Sequence, residues 1–173
     1  MIALLTNEIP DPTGWLVSTK MDGCRAVWTG YALISRNGHE WHPPAWFTKG
    51  MPRHRLDGEL WMGNGTFPQL VSTLQRHGSD WHGVGFHVFD LAEPGTVEER
   101  IARLESIELP AHVHRVTHEL CGGMHDLDKR ERDVVAAGGE GLVIRRPGSP
   151  YRPGRAGDII KIKRLQPDTD RSL

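Results

Sequence analysis

Six residues, Lys20-Met21-Asp22-Gly23-Cys24-Arg25, put an amine, a carboxylate, a glycine and a guanidinium in one short run. The apolar Trp15-Leu16-Val17 before them reads as a strand, so Lys20 falls where a strand gives way to a loop. A lysine there can face a bound nucleotide. Gly23 permits close backbone approach, and Arg25 offers forked donors to a sugar or phosphate. K-x-D-G is also an ordinary surface turn, so its weight depends on the groups that follow.

Those groups are two more lysines, two carboxylates and a phenylalanine. Lys161 and Lys163 are two apart on an expected strand, so both face one side while Ile160 and Ile162 face the other. Paired charges suit a phosphate; they also protect an edge strand from aggregation. Glu59 lies within Leu56-Asp57-Gly58-Glu59-Leu60-Trp61, and Glu140 opens Glu140-Gly141-Leu142-Val143-Ile144-Arg145. Phe86 and Phe89 have odd spacing and point to opposite faces of a strand, so one of them belongs to the core. Asp57 and Asp90 read equally well as turn and strand-end hydrogen-bonding residues.

The elements that must hold these groups are short strands early and helices between strands later. Strands are expected at Trp15–Ser18, Ala26–Trp28, Ala32–Ser35, Leu56–Trp61, Phe86–Leu91, His112–His118, Leu142–Arg145 and Asp158–Ile162. Residues 26–35 read as a hairpin, with another turn at Asn37-Gly38. Pro43-Pro44 starts a helical turn through Trp46 and Phe47, and Phe67–Arg76 reads as a helix. Thr96-x-x-Glu99 is a capping-box pattern ahead of Val97, Ile101, Leu104 and Ile107 at helical spacing. A last helix spans Asp126–Ala137 and closes at Gly138-Gly139. The mixture predicts an α+β domain of mostly antiparallel sheets flanked by helices over 1–165, with a polar tail over 166–173.

Composition adds limits. The 173 residues carry a formal charge of −1, so phosphate contact must come from local clusters and not from the overall field. The clusters are Arg145-Arg146, Arg152 with Arg155, and Lys161-Lys163-Arg164. Two cysteines make no disulfide framework, which suits a reducing, cytoplasmic setting. The opening Met1–Leu5 is too short for a signal core, and no run spans a membrane. His39-Glu40-Trp41-His42 is one residue short of the zinc pattern H-E-x-x-H, so its rings cannot share a helical face. No phosphate-cradling G-x-x-x-x-G-K-[ST] loop is present.

Six blocks stand in the order found in ATP-dependent DNA ligases and the wider covalent nucleotidyltransferases. They are Lys20–Arg25, Ser35-Arg36-Asn37-Gly38, Leu56–Trp61, Phe86–Leu91, Glu140–Arg145 and Lys161-Ile162-Lys163. The resemblance runs from about Gly14 to Arg164. It is nearest to small bacterial and phage ligases, which Trp41–Phe47 and Pro150-Tyr151-x-x-Gly154-Arg155 also fit. It implies an ATP-grasp-like ligase adenylation domain that seals nicked DNA with ATP and Mg²⁺.

By that resemblance Lys20 attacks the α-phosphate of ATP, with neighbouring cations depressing its pKa. Lys161 and Lys163 bind the phosphate, and Glu59 holds the ribose. Glu59, Glu140 and Asp22 are the implied Mg²⁺ set. Phe89, with Phe86 as the competitor, stacks on the base. Ser18 contacts it where many ligases have glutamate, so adenine over guanine is implied less firmly than the reaction. Arg25 and Arg36 meet the sugar, the phosphates or the nick, and Arg36 is equally a turn residue. Arg36, Arg145, Arg146, Arg152 and Arg155 are the implied DNA contacts.

Family members continue into an oligonucleotide-binding barrel, for which the ten residues after Lys163 leave no room. The chain is therefore expected to be an isolated catalytic domain or a minimal form needing a partner, and a monomer. An RNA ligase or a capping guanylyltransferase shares the chemistry, and a non-catalytic nucleotide- or DNA-binding module is the alternative of another class.

Overall fold

Two five-stranded sheets face a common cleft, and each packs its other face on a hydrophobic core. The computed structural model describes residues 2–5, 9–152 and 155–163, so the expected tail over 166–173 lies outside the described residues. In chain order the elements are β1 (Ile2–Leu5), β2 (Leu16–Lys20), β3 (Cys24–Trp28), β4 (Leu33–Ser35), α1 (Ala45–Thr48), β5 (Leu56–Trp61) and α2 (Phe67–Gln75). Then come β6 (Gly85–Leu91), α3 (Val97–Ser106), β7 (Val113–Arg115), β8 (Glu119–Leu120), α4 (Met124–Ala136), β9 (Gly141–Arg145) and β10 (Arg155–Ile162).

The first sheet has the order β1-β10-β9-β2-β8 and the second β4-β3-β5-β6-β7. Only β1 with β10 and β6 with β7 pair in parallel; the other pairings are antiparallel. The expected α+β class and antiparallel bias therefore hold. Strand alternation divides each sheet into two faces. Val17, Leu142, Ile144, Ile160 and Ile162 of the first sheet pack with Trp15 and Leu127. Leu56, Leu60, Phe86 and Val88 of the second pack with Phe47, Leu70, Trp81 and Leu104. The alternate residues look into the cleft.

Two expectations need correction, and one strand was not expected. The single strand expected over 112–118 is two, because the chain leaves β6 after β7 and crosses to pair β8 with β2. The strand β1 was not legible from its few apolar residues; its partner β10 lies at the other end of the chain. In α3 the capping box between Thr96 and Glu99 is present. The apolar repeat, however, is interrupted: Arg100 is fully buried while Ile101 is only half-buried.

Gly58 explains why a glycine separates Asp57 from Glu59. A Cβ there would lie 2.4 Å from the His87 carbonyl oxygen and 2.7 Å from the Phe86 ring. The register of β5 on β6 also shifts between Asp57 and Gly58. Only a residue without a side chain lets β6 come this close behind the two carboxylates. No helix among the described residues is long and apolar enough to cross a membrane.

Candidate active site

The cleft has a volume of about 870 Å³ and is walled by both sheets. From the first sheet Ser18, Lys20, Val143, Arg145, Ile159 and Lys161 look inward. Arg25, Asp57, Glu59 and Phe89 do so from the second. Asp22, Gly23 and Arg36 line it from loops, and Cys24 from the start of β3. Residues more than a hundred positions apart in the chain thus share one cavity.

Strand register brings the amine to its carboxylate. Lys20 pairs with Gly141 across β2 and β9, which sets Glu140 beside it. Lys20 Nζ donates to Glu140 Oε2 in a short contact, and Lys163 Nζ donates to Oε1 at 3.1 Å. Partial burial pushes the Glu140 carboxyl up, but the two lysines outweigh it and hold it below its ordinary value. Lys161 sits opposite Val143 on the same face. Burial, reinforced by nearby Lys20, holds Lys161 below the usual ammonium range, although Glu59 and Glu140 pull the other way.

Glu59 lies across from Arg25 on β3. Burial pushes its carboxyl up from 4.5 to about 7, against the pull of Arg25, Lys161 and Lys20; Asp57 adds to the rise. The folded chain therefore binds this proton more tightly than the unfolded chain does. The resulting stability is present in full below the unfolded value and is lost as pH rises through about 7. Between pH 4.5 and neutrality Glu59→Gln is expected to remove ~2 kcal/mol of pH-dependent stability from the ligand-free protein, read by urea melts at each pH. Superimposable pH profiles for the two proteins would contradict this.

Asp57 has a larger part than a turn residue. Its carboxylate is 1% exposed and accepts both Arg25 Nε, at 2.6 Å, and Arg25 Nη2. Tyr151 donates its hydroxyl to the same carboxylate at 2.8 Å. Burial works to lower the Arg25 pKa, but Asp57 and Glu59 overcome it and raise the pKa above its ordinary value. Burial, and then the Asp57 charge, raises the Tyr151 phenol. Asp90 is likewise buried and is bonded to Arg100, at 2.7 and 3.0 Å.

The two phenylalanines separate as their odd spacing required. Phe86 is fully buried in the core, and Phe89 lines the cleft. The guanidinium carbons of Arg25 and Arg145 lie 4.6 and 5.1 Å from the Phe89 ring centre.

The expected DNA arginines do not stay together. Arg145 is 4% exposed and lines the cleft. Its Nη1 donates to Ser18 Oγ at 3.1 Å and to His118 Nε2 at 3.2 Å, while its buried Nε finds no partner among the described residues. Burial and the Arg145 charge push His118 down to about 3, so this imidazole is neutral and can accept. Arg146 turns to the opposite face, over the Trp15 ring at 5.2 Å and 3.5 Å from Asp158. Alternation along β9 separates the two. Arg36 stays on the rim and Arg152 is exposed; the Arg155 side chain lies outside the described residues.

Among the described residues no group of three or more His, Cys, Asp or Glu side chains forms a metal cage. Of the three carboxylates implied for Mg²⁺, Asp22 and Glu59 line the cleft and Glu140 is bonded to Lys20 and Lys163; that ion keeps waters and needs only one or two carboxylates together with substrate phosphates. The two cysteines are free, and burial, with Glu59 and Asp22 nearby, pushes Cys24 up to about 11. The bonds of Tyr151 to Asp57 and of His118 to Arg145 were not expected, because nothing in their local pattern points to a partner 94 or 27 residues away.

No family model matches the chain. A DNA ligase of Haemophilus influenzae is 34% identical over 159 residues, covering 87% of this chain and 58% of that protein. The chain thus spans little more than half of that relative's length. A solved structure from a study of DNA binding by minimal-scaffold Lig E DNA ligases superposes with a TM-score of 0.86 at 28% identity. The match covers 94% of this chain and 68% of that one. A Chlorella virus DNA ligase–adenylate structure shares the fold, with a TM-score of 0.77 at 22% identity over 94% of this chain and 66% of its own.

Proposed function

We infer that the chain is a nucleotidyltransferase domain of the ATP-dependent DNA ligases, and from that premise we propose that it seals nicked DNA through an AMP carried on Lys20. The observation that carries this reading is the convergence of Lys20, Glu59, Lys161 and Phe89 on one cleft, with Glu140 bonded to the same lysine.

In the first step the Lys20 amine, as the free base, attacks the α-phosphorus of ATP. A nitrogen–phosphorus bond forms, the bond to the bridging oxygen breaks, and pyrophosphate leaves. Lys161 and Lys163 meet the charge developing on the phosphate oxygens. Glu59 accepts from the ribose hydroxyls, and the Phe89 ring lies flat on the base. Ser18 and Arg145 offer polar contacts at the inner end of the cleft, by the base edge.

Mg²⁺, held beside Glu59, Glu140 and Asp22, would supply further positive charge to the phosphates. In the second step a 5′-phosphate oxygen of the nick displaces Lys20 from the AMP. In the third, the 3′-hydroxyl oxygen attacks that phosphate, AMP leaves and the phosphodiester closes. Arg36, Arg146 and Arg152 are exposed and, with Arg155, would meet the DNA backbone, whereas Arg145 is buried in the cleft.

The test is to incubate the chain with α-labelled ATP and Mg²⁺, then add nicked DNA. Acid-stable label on the protein that passes to the 5′ end of the nick is the expected result. Label from GTP in preference to ATP would point to a capping-type enzyme, and sealing of RNA ends alone to an RNA ligase. Nucleotide binding without a covalent adduct would leave a binding module.

A further inference from the structure

We propose that Glu98 and Arg100 of α3, which do not line the cleft, are positioning residues for the joining steps; the proposal rests on the ligase reading above. Arg100 is fully buried, and its guanidinium serves three segments. It grips Asp90 at the end of β6 with two bonds, of 2.7 and 3.0 Å. Its Nη1 donates to the Gly95 carbonyl at 2.6 Å and to the Ser149 carbonyl at 3.0 Å. Glu98, two residues earlier and so on the opposite, exposed side of the helix, accepts from the Gly148 backbone N–H at 2.9 and 3.1 Å.

Together they hold the turn between β9 and β10 from both sides. Thr96 adds a backbone bridge to Pro150. Two residues after Ser149, Tyr151 reaches back into the cleft, where it shares Asp57 with Arg25. A line of direct contacts therefore runs from α3 through the turn to the Arg25 guanidinium, and the same turn delivers Arg152 to the surface.

The residues that hold AMP are placed differently. Lys20 and Glu59 stand on β2 and β5, whose ladders contain no residue of this turn, and Lys161, although on the strand the turn feeds, is held by its own pairing with Val143. Loosening the turn should therefore leave transfer of AMP to Lys20 intact and impair engagement of the nick, because small displacements of positioning groups carry large kinetic costs.

The full chain and three variants, Glu98→Ala, Glu98→Gln and Arg100→Lys, are compared in self-adenylation with α-labelled ATP, sealing of nicked DNA and thermal unfolding. Arg100→Lys keeps the charge but cannot bridge Asp90 and two carbonyls at once. It is expected to raise KM for nicked DNA roughly ten-fold with self-adenylation within about two-fold. Glu98→Ala should raise KM in the same direction. Glu98→Gln, whose amide oxygen still accepts from Gly148, should restore it.

If Arg100→Lys fails to fold, the Glu98 pair decides. Nick KM unchanged in the folded variants, or both steps falling together with the melting temperature, would overturn the positioning role and leave the ligase reading standing. An unaltered chain that acquires no AMP, or seals no nick, would remove the ligase reading and the positioning role with it.

Discussion

Lys20→Ala is expected to reduce covalent labelling by α-labelled ATP at least ~10⁴-fold, because it removes the amine that forms the bond to phosphorus. Lys20→Arg should do no better. It keeps a cation beside Glu140, but a guanidinium stays protonated and does not attack. The pair of variants thus separates nucleophile from electrostatic partner. Binding of unlabelled ATP is expected to persist, since Glu59, Phe89, Lys161 and Ser18 still line the cleft. Label retained by either variant, located to another residue by peptide mapping, would refute Lys20 as the carrier. Lys163→Ala leaves Lys20 as a partner of Glu140 and should have a smaller effect on labelling than loss of Lys20.

Asp57→Ala is expected to destabilise the folded chain by ~3 kcal/mol and lower its melting temperature by about 10 °C. The reason is what remains after the carboxylate is gone. The Arg25 guanidinium, 22% exposed, loses a two-point partner, and the Tyr151 hydroxyl loses its acceptor. Leaving a buried charge unpaired costs more than the pair itself contributes. Asp57→Asn retains an oxygen that can accept one bond and should cost about half as much. A melting temperature within about 1 °C of the unaltered protein would show that the three side chains do not act as a unit.

Much of this site could be read from local sequence because the relevant information is local. Lys20 follows an apolar strand, Lys161 and Lys163 alternate with isoleucines, and Gly58 separates two carboxylates; each pattern constrains a few consecutive residues. The capping box of α3 is legible for the same reason: Thr96 and Glu99 are three residues apart and satisfy each other. The roles of Asp57, Arg100 and Arg145 were not legible. An aspartate in a strand and an arginine in a helix have bland local readings until Tyr151, Asp90 or His118 arrives from another part of the chain.

The amino-acid sequence alone determined the strand-rich class, the reactive run at Lys20 and the side of each strand on which a residue falls, since a period of two is a property of the backbone. It could not tell which sides meet. That Arg145 enters the cleft while Arg146 lies on Trp15 follows from which face of β9 the second sheet covers. The burial of Arg100 follows from where the 147–151 turn crosses α3. Pairings across tens of residues depend on the packing of whole sheets, and their free energy is set only when both partners lose water together.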